Sequence, residues 1–270
     1  MSSPNLRVFT WNVNRRVGTL AQQVDAIVVR KPDIVALQEV TKTTLPLFRQ
    51  NLCEHGLEHF VDGYGGRDGI VHFTLIASRF PLQEIAPSPL DALKAGCHLA
   101  VIFKAPYGKV EFHNVHIPGF TSADVSKNGV LETLFDLLAT EASHYRILCG
   151  DFNAPQKELH DGTLITFWQT LRKNGEFKIK RGREREHQAE YAALAGLAQY
   201  DLFDTFRLLN GYDRDDCSWY AKNRGRLFGF RLDHIFASKL LDAVDCRYLH
   251  DLREAGLSDH SAMEAIFCPD

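Results

Sequence analysis

Along most of this chain, apolar and polar positions alternate in short runs, with β-branched and aromatic residues on the apolar side and turn formers between the runs. A period of two is the mark of strands. It predicts strands over 6–12 (LRVFTWN), 33–40 (DIVALQEV), 70–78 (IVHFTLIAS), 98–105 (HLAVIFKA), 109–117 (KVEFHNVHI), 146–152 (RILCGDF), 231–238 (RLDHIFAS) and 261–267 (SAMEAIF). Three stretches keep the spacing of an amphipathic helix instead. These are 19–30; 124–143, where Leu131, Leu134, Phe135, Leu138 and Ala142 form one stripe; and 187–209, in two pieces broken near Gly196. Pro32, Pro81, Pro87, Pro89, Pro106, Pro118 and Pro155 all fall between elements, where a missing N–H breaks no ladder. Many strands with few helices predict an α/β fold of two packed sheets with helices outside. No repeat, low-complexity run or linker divides the chain, so a single domain over residues 1–270 is expected.

Composition narrows this picture little. Hydrophobic content of 45% and charged content of 24% are ordinary for a globular protein that buries a sizeable core. The net charge of −3 gives no global field of the kind a basic nucleic-acid binder carries. The densest charge lies at 171–187 (LRKNGEFKIKRGREREH), which reads either as a set of phosphate contacts or as a solvated loop. The first residues show no apolar leader core, and no run approaches a membrane span, so no membrane insertion is expected. Six cysteines are scattered without a CxxC pair, which argues against a zinc cage and against a disulfide framework. Free thiols in a reducing cytoplasm are expected, and no obligate protein partner is evident.

Chemistry enters where strands end. Asn12, Glu39, His116 and Asp151 stand at or near the ends of predicted strands, with Asn153 two residues after Asp151. Asp233 lies inside one strand, and Asp259 and His260 occupy the turn before the last. One such aspartate is ordinary turn chemistry. So many acids, amides and histidines at strand ends, spread over the whole chain, are hard to explain that way.

Six motifs carry a resemblance. FTWNVN (9–14), DIVALQEV (33–40), NVHIPG (114–119), ILCGDFNAP (147–155), FRLDHIFAS (230–238) and LSDHSAM (257–263) stand in the order seen in the endonuclease/exonuclease/phosphatase superfamily. That superfamily includes deoxyribonuclease I, exonuclease III-type abasic-site endonucleases, inositol polyphosphate 5-phosphatases and neutral sphingomyelinases. The resemblance covers nearly the whole chain. It implies a four-layer α/β/β/α sandwich of two mixed sheets, and a divalent-metal-dependent phosphoesterase using Mg2+ or Mn2+. It also implies roles for individual residues. Glu39 is the principal metal ligand, with Asn12 close by and Asp259 on the metal's water shell. Asp151 positions or deprotonates the attacking water, with Asn153 beside it. His260, oriented by Asp233, holds the phosphoryl oxygens, and His116 contacts the phosphate or leaving group.

Elementary chemistry agrees with this division. Phosphoryl transfer asks for positioning and charge stabilisation. A hard cation takes one or two carboxylates and keeps its waters. A water nucleophile needs a base, and a histidine backed by a carboxylate has a fixed tautomer and a favoured imidazolium.

Other features read as bland. GYGGRDG (63–69) lacks the lysine of a phosphate-binding loop and precedes a strand, so it is a loop. His113 and His116 face opposite sides of one strand. DRDD (213–216) reads as a solvated turn and His234 as a packing residue, while Trp219 fits either the core or a substrate groove.

Two stretches, LFDTFRLLNG (202–211) with CSWY (217–220) and FGFRLDHIFAS (228–238), resemble the exonuclease III-type branch. In one respect the chain departs from it, because His116 stands where that branch carries a tyrosine. The expected function is phosphodiester hydrolysis in nucleic acid, DNA above all, with abasic-site repair among its forms. The alternatives are a phosphoesterase acting on a small or lipid substrate and, in another class, an inactive binding module.

Overall fold

The computed structural model describes residues 5–119 and 127–269. Two mixed sheets of six strands each form its centre. The first sheet contains β1 (Leu6–Asn12), β2 (Ile34–Val40), β3 (His59–Asp62), β4 (Phe73–Ser78) and the strands Ala243–Leu249 and Ala262–Phe267. Across the sheet they run Ala243–Leu249, Ala262–Phe267, β1, β2, β4, β3. The second sheet contains β5 (Gln83–Glu84), β6 (His98–Ala105), β7 (Gly108–His116), β8 (Tyr145–Asp151) and the strands Phe203–Asp204 and Asp233–Ala237. Their order is Phe203–Asp204, Asp233–Ala237, β8, β7, β6, β5. Each sheet has one parallel pair, β1 with β2 and β7 with β8, and the remaining neighbours are antiparallel.

The strand period explains the layering. Leu6 and Val8 of β1 pack with Phe103, Phe112 and Ile147 of the other sheet. Phe9 and Trp11, one residue out of phase, pack with Leu20, Val24 and Ile27 of α1 (Leu20–Val28) and Phe48 and Leu52 of α2 (Leu45–Cys53). On the far side, Val115, Leu148 and Phe152 meet Val130, Leu131 and Leu134 of α3 (Lys127–Leu138) and Ala189 and Ala193 of α4 (Glu184–Leu194). Successive side chains on a strand point to opposite faces, so each sheet has one face for the other sheet and one for helices. The result is the expected α/β/β/α order.

All eight predicted strands form. The one expected over 70–78 begins at Phe73, and the one over 231–238 is Asp233–Ala237. The helix expected over 124–143 is α3, ending at Leu138, with Ala142 beyond it; positions 124–126 lie outside the described residues. The stretch 187–209 divides into α4, a 3-10 turn (Gly196–Tyr200), the strand Phe203–Asp204 and α5 (Thr205–Asn210). A Cβ at Gly196 would lie 3.1 Å from the Phe135 ring of α3, so the glycine permits a close approach at the point where the helix stops.

Two hairpins form small sheets of their own: Gln169–Leu171 paired with Phe177–Ile179, and Trp219–Asn223 paired with Arg226–Phe230. The six cysteines are all free. Among the described residues, no helix is long and apolar enough to cross a membrane.

Candidate active site

The ends of β1 and β2 in one sheet meet the ends of β7 and β8 in the other. Asn12 Nδ2 donates to Asp151 Oδ2 at 3.0 Å, joining the two sheets directly. Just beneath, Gln38 Nε2 donates to Asn114 Oδ1 at 2.7 Å, and Asn114 Nδ2 donates to the carbonyls of Leu37 and Leu75 at 3.0 and 2.9 Å. These buried amides fix the register between sheets, because a buried polar group left unpaired is costly.

Glu39 follows Gln38 with φ +57. The β2–β4 pairing is irregular between Leu37 and Val40. A non-glycine residue in the left-handed region costs on the order of 1–3 kcal/mol and persists where surroundings impose it, and a bulge is a usual way to redirect a side chain. Here the carboxylate comes to 3.8 Å from His116 Nε2 and forms an ion pair with Arg15 Nε at 2.8 Å. Glu39 Oε2 is buried and has no aligned hydrogen-bond donor.

Asp151 ends β8 directly opposite His116 of β7 and Asp233 of the neighbouring strand. Gly150, immediately before it, has φ +131, and a Cβ there would lie 2.0 Å from the Val115 carbonyl oxygen. Only glycine lets these two backbones approach so closely. Asp151 Oδ1 accepts from the Asn153 backbone at 2.8 Å. Asn153 is held in turn by donating to the Ile117 carbonyl at 2.9 Å and by receiving Lys127 Nζ at its own carbonyl at 2.6 Å. Asp151 Oδ2 faces His116 Nε2 at 3.7 Å and His260 Nε2 at 3.8 Å.

His260 Nδ1 lies 2.8 Å from Asp233 Oδ2. A carboxylate can only accept, so Nδ1 carries the proton and Nε2 points toward Asp151. The turn bearing His260 is anchored from β1: Trp11 Nε1 donates to the His260 carbonyl at 2.9 Å, and Ser258 Oγ donates to the Asn12 carbonyl at 2.6 Å. Ser218 Oγ receives the Leu232 and Asp233 backbone N–H groups at 2.9 and 3.2 Å, and Tyr248 donates to the Asp233 carbonyl at 2.6 Å.

These contacts set the charges. Burial raises the Asp151 carboxyl to about 7, opposed by the His260 charge and reinforced by Asp233. Burial alone would lower His260, but Asp233 and then Asp151 outweigh it, and the imidazole reaches about 10. His116 is lowered to about 3 by burial, with His72 and His260 adding to the effect. At pH 8 the site therefore holds an imidazolium, a neutral imidazole and a carboxylate that is mostly ionised but readily protonated.

The expected residues are placed unevenly. Asn12, Glu39, His116, Asp151, Asn153, Asp233 and His260 are linked in one chain of contacts. Asp259 is exposed, and its Oδ2 accepts from Trp219 Nε1 at 3.1 Å. Among the described residues, the group compact enough to surround a cation is Asp151, Asp233 and His260, with ligating atoms within 4.8 Å of one another. In that group His260 and Asp233 already satisfy each other, while Glu39 Oε2, which lacks an aligned hydrogen-bond donor, faces the Arg15 guanidinium.

Trp219 is half-buried beside the site, with its ring centroid 6.3 Å from that of His260. His234 is buried against Phe152 and reaches the Ala154 carbonyl at 2.8 Å, as a packing residue does. The 213–216 turn is exposed up to Asp215, but Asp216 is tied to His250 at 2.8 Å. Lys127, Ser218, Trp11 and the Gln38–Asn114 bridge escape sequence reasoning. Gln38 and Trp11 at least carry a signal, a polar or indole side chain next to a motif acid or amide.

A sequence profile of the Endonuclease/Exonuclease/phosphatase family matches residues 9–260. The exodeoxyribonuclease III of Haemophilus influenzae is 25% identical over 281 aligned positions, covering 97% of this chain and all of that protein. Among solved structures, an AP endonuclease from Archaeoglobus fulgidus superimposes with a TM-score of 0.69 at 19% identity, over 97% of this chain and 99% of that one. TDP2 from D. rerio, solved with a single-strand DNA product, gives 0.67 at 14% identity, over 97% and 98%. The Neisseria 3' phosphatase NExo, bound to a product DNA hairpin, gives 0.64 at 20% identity, over 97% and 99%. The chain belongs to the Endonuclease/Exonuclease/phosphatase family, and it is an enzyme that hydrolyses phosphoester bonds.

Proposed function

We propose that this protein is a divalent-metal-dependent phosphodiesterase acting on DNA. The observation that carries the reading is the meeting of Asp151 with a carboxylate-backed His260 and with Asn12 at the joint carboxyl edge of the two sheets. The named activities of the relatives, on DNA and its ends, favour DNA as the substrate.

Glu39 with Asn12 would hold the cation, Asp259 acting on its water shell, and when bound the cation supplies charge neutralisation to the phosphoryl oxygens. The chain's own groups do the rest. Asp151, near pH 7 in its ionisation, takes the proton of the attacking water. Asn12 and Asn153 hold its carboxylate in place. His260, charged through Asp233, presents Nε2–H to a phosphoryl oxygen gaining charge in the transition state. His116, kept neutral by burial, donates or accepts a hydrogen bond without adding a second charge beside His260.

The test is hydrolysis by purified protein in Mg2+ or Mn2+, with abasic duplex, intact duplex, single strands, 3'-phosphate ends, inositol phosphates and sphingomyelin in parallel. Cleavage of a DNA substrate that chelator abolishes supports the proposal. Turnover confined to inositol phosphates or sphingomyelin moves the assignment to a small or lipid phosphoester, and no turnover of any phosphoester overturns it.

A further inference from the structure

Beside His116, and sharing Glu39 and Asn153 with the site above, a pocket of about 270 Å³ opens between Arg15, Glu39, His72, Lys94, Gly119 and Asn153. Nothing in the hydrolytic chemistry above needs its two cations. Arg15 and Lys94 approach from different parts of the chain. Arg15 follows the end of β1 with φ +52. Its Nε meets Glu39, and its terminal nitrogens make no hydrogen bond among the described residues.

The loop that brings Lys94 is held at several points. Lys94 N donates to the Leu90 carbonyl at 2.9 Å, Gly96 N to Asp91 Oδ1 at 3.0 Å, and Thr74 N to the Gly96 carbonyl at 2.9 Å. The next link reaches the active site itself, because His116 N donates to the Cys97 carbonyl at 2.8 Å. The one acid of this loop, Asp91, is paired with Arg67 at 3.0 Å. His72 packs near His116, with ring centroids 5.2 Å apart, and its buried Nδ1 has no partner among the described residues. The pocket therefore has two cations and one carboxylate, so that with Arg15 paired to Glu39 the Lys94 charge is left over, beside an imidazole nitrogen without a hydrogen-bond partner.

We infer that this pocket is a subsite for a second phosphate group of the substrate, adjacent to the one being hydrolysed. The inference rests on the phosphoesterase reading of the neighbouring site. An anion there meets a lining that includes Arg15, Lys94 and His72, and hydrogen bonds from charged donors are the strong ones. The second phosphate can be the next one along a nucleic-acid strand or the far half of a diphosphate; the chemistry recognised is the same.

Three chromogenic diesters separate the possibilities. Bis(p-nitrophenyl) phosphate has no second phosphate. The 5'-(p-nitrophenyl) ester of thymidine 3',5'-bisphosphate carries one at strand spacing, and the p-nitrophenyl ester of ADP carries one at diphosphate spacing. With wild-type enzyme in saturating Mg2+, at least one two-phosphate substrate is expected to exceed the first in kcat/KM. In Lys94→Met that ratio is expected to fall about tenfold, the size of one charge-assisted contact, with Lys94→Arg restoring most of it. Which substrate loses its advantage identifies the source of the second phosphate. If wild type hydrolyses all three and Lys94→Met leaves both ratios unchanged, the subsite is wrong while the hydrolytic reading stands. If wild type hydrolyses none, the hydrolytic reading fails first and the subsite with it.

Discussion

Replacing Asp233 by asparagine removes one charge and almost no volume. The consequence follows from His260. Its imidazole is buried, and burial pushes it below an ordinary value of roughly 6.5; it reaches about 10 because Asp233, and after it Asp151, favour the proton. Without the Asp233 charge the imidazole returns to about the ordinary value or lower. At pH 8 its protonated fraction then drops from nearly 1 to about 0.03, a loss of roughly 30-fold in the competent acid. The ring also loses the acceptor charge that fixes its tautomer, so the total loss in kcat is expected on the order of 10²–10³, within the range for an acid–base group. The signs give the shape of the profile. Asp151 acts as a base, so activity rises with pH through about 7. His260 acts as an acid, so activity falls through about 10. Wild type should show a plateau between these limbs, and Asp233→Asn should bring the alkaline limb down until the limbs overlap. The assay is kcat over pH 5.5–10.5 at saturating metal. An alkaline limb that stays near 10 in Asp233→Asn, or a loss equal at every pH, would mean that Asp233 does not set the charge of His260. In a His260→Ala background, Asp233→Asn should cost little more, because residues acting as one unit are non-additive.

Asp151→Asn is expected to abolish turnover and yet raise the melting temperature at pH 8. The folded-state pKa is raised, so ionising this buried carboxyl destabilises the fold as pH rises toward 7, by on the order of a few kcal/mol; a melting curve that falls at pH 8 would count against this. Gly150→Ala should lose more than about 2 kcal/mol in denaturant unfolding, since its Cβ has 2.0 Å to the Val115 oxygen and its φ is unsuited to alanine; a near-neutral change would show that the strands can separate there. Lys173, Lys178 and Arg181 are exposed on and just after the 169–179 hairpin. Neutralising all three should flatten the salt dependence of DNA binding by about 0.9 for each phosphate the variant no longer neutralises, and an unchanged slope would make the segment a solvated loop.

That strands and layers are legible in the sequence, and the site's supports are not, has a physical basis. A strand buried on both faces, such as β2 or β8, is apolar over most of its length (Ile34–Leu37, Ile147–Cys149), and its polar end is then conspicuous; Glu39 and Asp151 stand out for that reason. The strand Ala243–Leu249 escapes notice because it lies at a sheet edge, where half its side chains face solvent and AVDCRYL shows no clean apolar run. Helix α2 does so because its buried face rests on Phe48 and Leu52 alone. Near the site, Asp233 and His260 are 27 residues apart and Asn12 and Asp151 are 139 apart, so their pairing is a property of sheet order. Lys127 reads as an ordinary helical lysine until the fold buries it against the Asn153 carbonyl. The left-handed turn of the chain at Glu39 leaves no mark in the letters LQEV at all.

Hydrolysis of DNA phosphodiesters by a metal-assisted Asp151 and His260 can be decided in a single cleavage assay. A 5'-labelled duplex with one abasic site, and its intact control, are incubated with wild type and with Asp151→Asn in Mg2+, with and without excess chelator. Wild type should cut a strand in Mg2+ and none in chelator, and Asp151→Asn should be slower by at least about 10². Cleavage that survives chelator or the substitution, or intact strands on both duplexes under every condition, would show that Asp151 and a bound cation are not what cuts DNA here.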